Sequence, residues 1–167
     1  MKLYYYRILL LIYIVFFVYS GENMKNFATW EMFEADKLAS IWLIKRFIDS
    51  KAEIIIYPKD TDIKDEIAFD TPNSRFKRTF NKCTFELLIQ HYKIKDKKIN
   101  SLAMIIHDIE INKWEHKIFT LTSMVDSKII EIISDTKDAK TTMDNACVFF
   151  DELYESLPEK LEKVIIK

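Results

Sequence analysis

The sequence predicts an α+β fold, mostly α-helical, with about five helices around a buried central helix and a small two- or three-stranded sheet. Three observations carry this reading. One glycine and three prolines in 167 residues are too few chain-breakers for a turn-rich all-β protein. Several long segments repeat apolar residues at helical spacing. One of them, Glu34 to Asp49 (EADKLASIWLIKRFID), places Leu38, Ala39, Ile41, Trp42, Leu43, Ile44, Phe47 and Ile48 in nearly every direction around a helix. A helix that is apolar all round is a buried one.

The elements follow in order. Residues 1–20 begin with Lys2 and Arg7, continue with an acid-free apolar run at 8–19, and end on Ser20 before Gly21. This is the layout of a secretory signal peptide. The run falls short of the roughly 20 residues that span a bilayer as a helix, and Tyr4, Tyr5 and Tyr6 also suit an N-terminal membrane anchor left uncleaved. The expected location is exported and periplasmic or otherwise extracytoplasmic, with membrane contact only through residues 8–19. Residues 21–28 read as a polar linker, and 29–158 as the domain itself. After the central helix, the β-branched EIIIYP stretch at 53–58 reads as a buried strand, and IAFD at 67–70 as a second. Residues 74–81 alternate, with Phe76, Arg78 and Phe80 on one face, which predicts a strand with its aromatic face inward. Thr84 is a good N-cap for a helix to Tyr92, with Glu86 in its first turn. Three amphipathic helices follow, at 98–110, around 121–133, and from Ala139 to Leu157. Residues 159–167 form a charged tail.

Burial makes the few polar groups of the central helix expensive. Deleting one partner of a buried ion pair costs about 3–5 kcal/mol. Asp36, Ser40, Lys45 and Arg46 should therefore find partners, and a site is expected around them. His107 and Glu110 are three apart on one helix and share a face. Together with Glu34, Asp36, Glu86 and Asp108 they offer one imidazole and several carboxylates. That donor set suits one transition-metal ion such as iron, manganese, zinc or nickel, and lacks the thiolates of a structural zinc site. The alternative is a satisfied histidine among solvated acids. Arg46, Arg78 and Lys82 could instead line a pocket for a small oxyanion, since a guanidinium fork matches a tetrahedral dianion. The alternative for Arg46 is pairing with a buried carboxylate such as Asp36 or Glu86. Cys83, beside a helix start and Lys82, is a redox candidate or a packed thiol. Cys147 lies on an apolar stripe, and the two cysteines make no disulfide framework. A net charge of −1 excludes the electrostatic footprint of a nucleic-acid binder.

The run Asp36-Lys37-Leu38-Ala39-Ser40, then Trp42-Leu43-Ile44 and Arg46-Phe47-Ile48-Asp49, resembles the chromate-resistance proteins, both the exported ones and the C-terminal domain of ChrB-type regulators. KCTFELL at 82–88, IIHDIE at 105–110 and FFDELY at 149–154 fit in order and spacing. The resemblance implies a role in chromate resistance and draws Asp36, Glu86, His107 and Asp108 together as motif residues. Two departures stand out. Glu34 stands where the family usually has histidine, and Arg78 where relatives tend to show another. Glu34 can ligate a hard cation; Arg78 cannot, being a donor only. Three functions are then in play. The leading one is a non-enzymatic metal- or oxyanion-binding module. The others are a metal-dependent redox enzyme acting on chromate or reactive oxygen, and a degenerate member with a structural or partner-binding role. The signal-like segment leaves no room for a DNA-binding part before Phe27, so transcriptional control is not expected.

Overall fold

A computed structural model describes residues 25–64, 66–112 and 116–164. The readings of residues 1–20 and 165–167 lie outside the described residues.

The architecture is mostly α-helical α+β, as expected. Strand β1 (Asn26–Trp30) leads into helix α1 (Ala35–Leu43). Strands β2 (Glu53–Tyr57) and β3 (Ile67–Ala68) follow. Four more helices complete the described chain: α2 (Thr84–Tyr92), α3 (Lys97–Glu110), α4 (Thr122–Asp135) and α5 (Ala139–Ser156). The three strands are parallel in the order β2-β1-β3, with Phe27 opposite both Ile54 and Ile67. Parallel neighbours need a crossover, and α1 supplies the one between β1 and β2.

The middle strand is the element that sequence reading missed. Residues 26–28 fall in the expected polar linker, yet Phe27, Ala28 and Thr29 are fully buried. A short strand covered on both faces shows no alternation, and Ala and Thr carry little hydrophobic signal of their own. The expected strand over 74–81 is absent; within it only Phe76 makes an isolated bridge, to Phe69. Phe76 is buried, whereas Phe80 is 98% exposed. The chain is fixed there by specific anchors rather than by a ladder, so the alternation breaks after Arg78.

Every residue of α1 is buried, and the helix packs against α5, α2 and α3. Its last turn widens over Ile44–Ile48 into a π-helical turn, closed by Asp49 N–H donating to the Ile44 carbonyl at 2.8 Å. Beyond Ile44 the chain leaves the core, and Arg46 and Phe47 reach solvent. The N-termini of α3 and α5 are capped by Asp96 and Asp138, which accept from Ile99 and Thr141 N–H at 2.8 and 2.9 Å. At α2 the N-cap is Cys83, one residue before the expected Thr84, and the Glu86 carboxylate reaches back to Cys83 N–H at 2.9 Å. Thr84 is thereby released to donate to Asp70 Oδ1 and the Phe76 carbonyl.

Candidate functional site

The head of α1 meets the start of α2, and their chemistry is complementary. Asp36 is wholly buried, and its carboxylate accepts from Thr84 N–H at 2.7 Å and Phe85 N–H at 2.8 Å. These are amides that a helix N-terminus leaves without intrahelical partners. Asp36 N–H in turn donates to Glu110 Oε1 at 3.3 Å.

Arg78 sits among these acids. Its Nη1 lies 2.9 Å from Glu110 Oε2, its Nη2 bonds Glu34, and its Nε is 3.7 Å from Asp36 Oδ2. Lys37, also buried, donates to the Trp30 carbonyl at 2.9 Å and lies 3.6 Å from Asp70 Oδ2. Four carboxylates (Glu34, Asp36, Asp70, Glu110) and two cations (Arg78, Lys37) therefore share one half-sealed region. Desolvation, with Asp70 close by, pushes the Asp36 carboxyl up from 3.8 to about 7, against the pull of the Phe85 and Thr84 amides and of Arg78. Burial also raises Asp70, with Lys37 and Arg78 opposing it. Burial depresses Lys37 in the same way.

One turn along α2, Glu86 accepts or shares a hydrogen bond with His107 Nδ1 at 2.9 Å. The pair is half-buried, with side-chain exposures of 24% and 34%. It borders a cavity of about 410 Å³ whose other walls include Ser101, Met104, Phe119 and Leu161. Asp108, next to His107 in sequence, serves a different purpose. Its carboxylate accepts from Asn112 Nδ2, Ile118 N–H and Thr122 Oγ1 at 2.8, 2.8 and 2.6 Å, and from Phe119 N–H at 3.3 Å. Desolvation works against its charge, but the donors from Thr122, Asn112, Phe119 and Ile118 together hold its carboxyl below the usual range.

The sequence-predicted residues thus divide. Glu34, Asp36 and Glu110 do come together, on a guanidinium. Glu86 and His107 pair separately. Asp108 spends its lone pairs ordering the approach to α4. The proposed oxyanion pocket of Arg46, Arg78 and Lys82 is not assembled. Arg46 makes a forked pair with Asp151 on α5 at 2.8 and 2.7 Å, Lys82 donates to Gln90 at 2.9 Å, and Arg78 is held by acids. Arg46 does not find a buried carboxylate either; the pair is exposed, because the π-helical turn carries it out of the core. Asp151 also accepts from Trp42 Nε1 at 2.8 Å. Cys83 is buried, and desolvation, with Asp36 close by, drives its thiol upward, so Lys82 and the helix start do not activate it. Cys83 and Cys147 are both free thiols.

Asp70, Lys37 and Asp151 were missed as partners. Lys37 stood inside the matched motif, and its position on an all-buried helix was the available signal. Asp151 stands inside the matched FFDELY segment and Asp70 ends the IAFD stretch, but nothing local names the partner of either.

Among the described residues no group of three or more His, Cys, Asp or Glu side chains is arranged to hold a metal ion. At the acid cluster the reason is physical: a fixed cation, Arg78, occupies the focus of the carboxylates. Those residues do not fit a metal ion while Arg78 is in place. Among the described residues Glu86 and His107 supply two donors and no third joins them.

The model of one protein family, described as the ChrB C-terminal domain, matches residues 27–157. That span runs from the first buried residue of β1 to the residue that ends α5. No curated protein and no solved structure matches the chain. With the family's pattern covering all of the sheet but its first residue, and all five helices, the chain belongs to the ChrB C-terminal domain family.

Proposed function

We propose that this is a non-enzymatic binding domain of the chromate-resistance type whose ligand site is the Glu86–His107 pair and the cavity beside it. Family membership supports a chromate-resistance-related role. One observation carries the choice of site. His107 Nδ1 and Glu86 share a 2.9 Å contact at the edge of a cavity of about 410 Å³ and are both partly open to solvent. The remaining acids are committed to Arg78, backbone amides or Asp108's own loop, whereas Glu86, which also holds Cys83 N–H, lines the cavity with His107. An imidazole nitrogen and a carboxylate oxygen suit iron, manganese, zinc or nickel. Two protein donors leave most of a coordination shell to water or to a small oxyanion, which favours exchangeable binding over a permanent cofactor.

The test is calorimetric titration of zinc, manganese and nickel into the whole chain purified without an affinity tag. Binding in the wild type that is lost in His107→Ala supports the reading. Absence of heat and of any thermal shift with all three ions sinks it. The redox-enzyme reading, acting on chromate or reactive oxygen, shares this site and is separated from binding by turnover with an added reductant.

A second reading, a structural or partner-binding role, is favoured by Arg78. A polar centre that neutralises itself internally needs no ligand to be stable. We further propose export, on the layout of residues 1–20. Among the described residues no helix is long and apolar enough to cross a membrane. The mass of the mature protein recovered from expressing cells checks cleavage after Ser20.

A further inference from the structure

We propose that the loop at 75–82 docks the protein on an anionic lipid surface, with Phe80 entering the headgroup region. Phe80 is 98% exposed, and it is the only large apolar side chain of that loop recorded as exposed among the described residues. Between Asp70 and Glu86 the sequence holds Arg75, Lys77, Arg78 and Lys82 and no acid, within a chain of net charge −1. Arg78 is turned inward to the acids; Lys77 is exposed, Arg75 is exposed while lying over the Phe76 ring, and half-buried Lys82 donates to Gln90. The basic character is therefore local to the stretch of chain that carries the aromatic ring.

The loop is held, which separates it from an ordinary floppy turn. Phe76 is buried and its carbonyl accepts from Asp70 N–H at 2.8 Å. Arg78 is tied to Glu34 and Glu110. Thr79 N–H donates to the Lys82 carbonyl at 2.9 Å, its hydroxyl bonds Asn81 at 3.2 Å, and Cys83 is fixed in the core. Phe80 lies in the turn between Thr79 and Lys82, whose backbone these contacts fix, and its side chain stands in solvent. A preorganised contact loses little entropy on binding.

The choice of partner follows from the shape. A protein hot spot needs a surrounding ring of packed residues, which a lone ring on a loop tip lacks. Nucleic acid calls for a broad basic face, and the sequence pI of about 6.3 argues against one. A single apolar side chain flanked by cations matches the interfacial zone of a negatively charged bilayer. This contact is separate from the Glu86–His107 site and from any anchoring by residues 8–19.

The experiment uses the whole chain with Phe80→Cys carrying an environment-sensitive fluorophore. Cys83 and Cys147 are buried and do not compete for the label. A second labelled variant at the exposed Glu152, Glu152→Cys, reports general tethering. Vesicles are phosphatidylcholine alone or mixed with phosphatidylglycerol. The expected result is a blue shift at position 80 with the anionic vesicles, reversed by high salt, and none at 152. Phe80→Ser should melt as the wild type does and lower affinity for anionic vesicles about tenfold. The proposal is overturned if the label at 80 stays in water, if 152 responds equally, if Phe80→Ser binds as well, or if a single-stranded oligonucleotide produces the shift in place of the vesicles.

Discussion

Replacing Arg78 by alanine removes the positive charge that three carboxylates share, and the structure allows the consequence to be worked out. The contact with Glu110 is the strong one, because the Glu110 side chain is 4% exposed. Breaking such a pair costs about 3–5 kcal/mol. The contact with Glu34 adds little, since that carboxylate is 42% exposed and solvent screens it. Asp36 offsets part of the loss by keeping its proton. Its folded value of about 7 against an ordinary 3.8 corresponds to about 4 kcal/mol, so between those values the folded protein holds a proton that the unfolded chain releases. Stability from this group is therefore greatest at low pH and falls as pH rises toward 7. Removing Arg78 takes away an influence that lowers the Asp36 value, so the fall extends to higher pH. The expected loss for Arg78→Ala is about 3–5 kcal/mol at pH 5, where Asp36 is already protonated, and roughly 1 kcal/mol more at pH 8. Urea unfolding followed by circular dichroism at both pH values measures it. Arg78→Lys should recover part of the loss, as the charge returns without the fork. Equal losses at both pH values would refute the coupling of Arg78 to Asp36, and no loss would show that the acids are solvated.

Asp108 should behave with the opposite sign. Its depressed carboxyl contributes stability above the unfolded carboxylate value that is lost as pH falls through its lower folded one; Asp108→Ala should cost about 3 kcal/mol at neutral pH, read by denaturant unfolding, and leave less acid sensitivity below about pH 4. Arg46→Ala should cost no more than about 1 kcal/mol, because both members of its pair are more than 40% exposed. Asp151→Ala should cost more, about 1–3 kcal/mol, since it also leaves the indole N–H of buried Trp42 without its acceptor; thermal melts of the two variants side by side decide the order.

Much of this fold was readable without coordinates. The helical stripes at 98–110, 121–133 and 139–157 fall on α3, α4 and α5 within a residue or two. The apolar run of α1 placed it in the core, and its motif residues identified the family that the match over 27–157 shows. The same logic failed for 74–81. Alternation was present there, but no strand lay beside Phe80 to hold it, and Arg78 was drawn in by acids from other elements.

The amino-acid order alone determined that a buried helix carries charges and that those charges require partners. Periodicity is a property of neighbouring residues, so helices announce themselves locally. Which partners they found was decided by tertiary structure. Glu34 lies 44 positions from Arg78, and Arg46 lies 105 positions from Asp151. Charge pairs act strongly only at a few ångströms, so everything depends on which side chains the packing of α1 against α2, α3 and α5 brings that close. The middle strand β1 belongs to the same class, because a five-residue segment becomes a strand only when β2 and β3 flank it with their backbone groups.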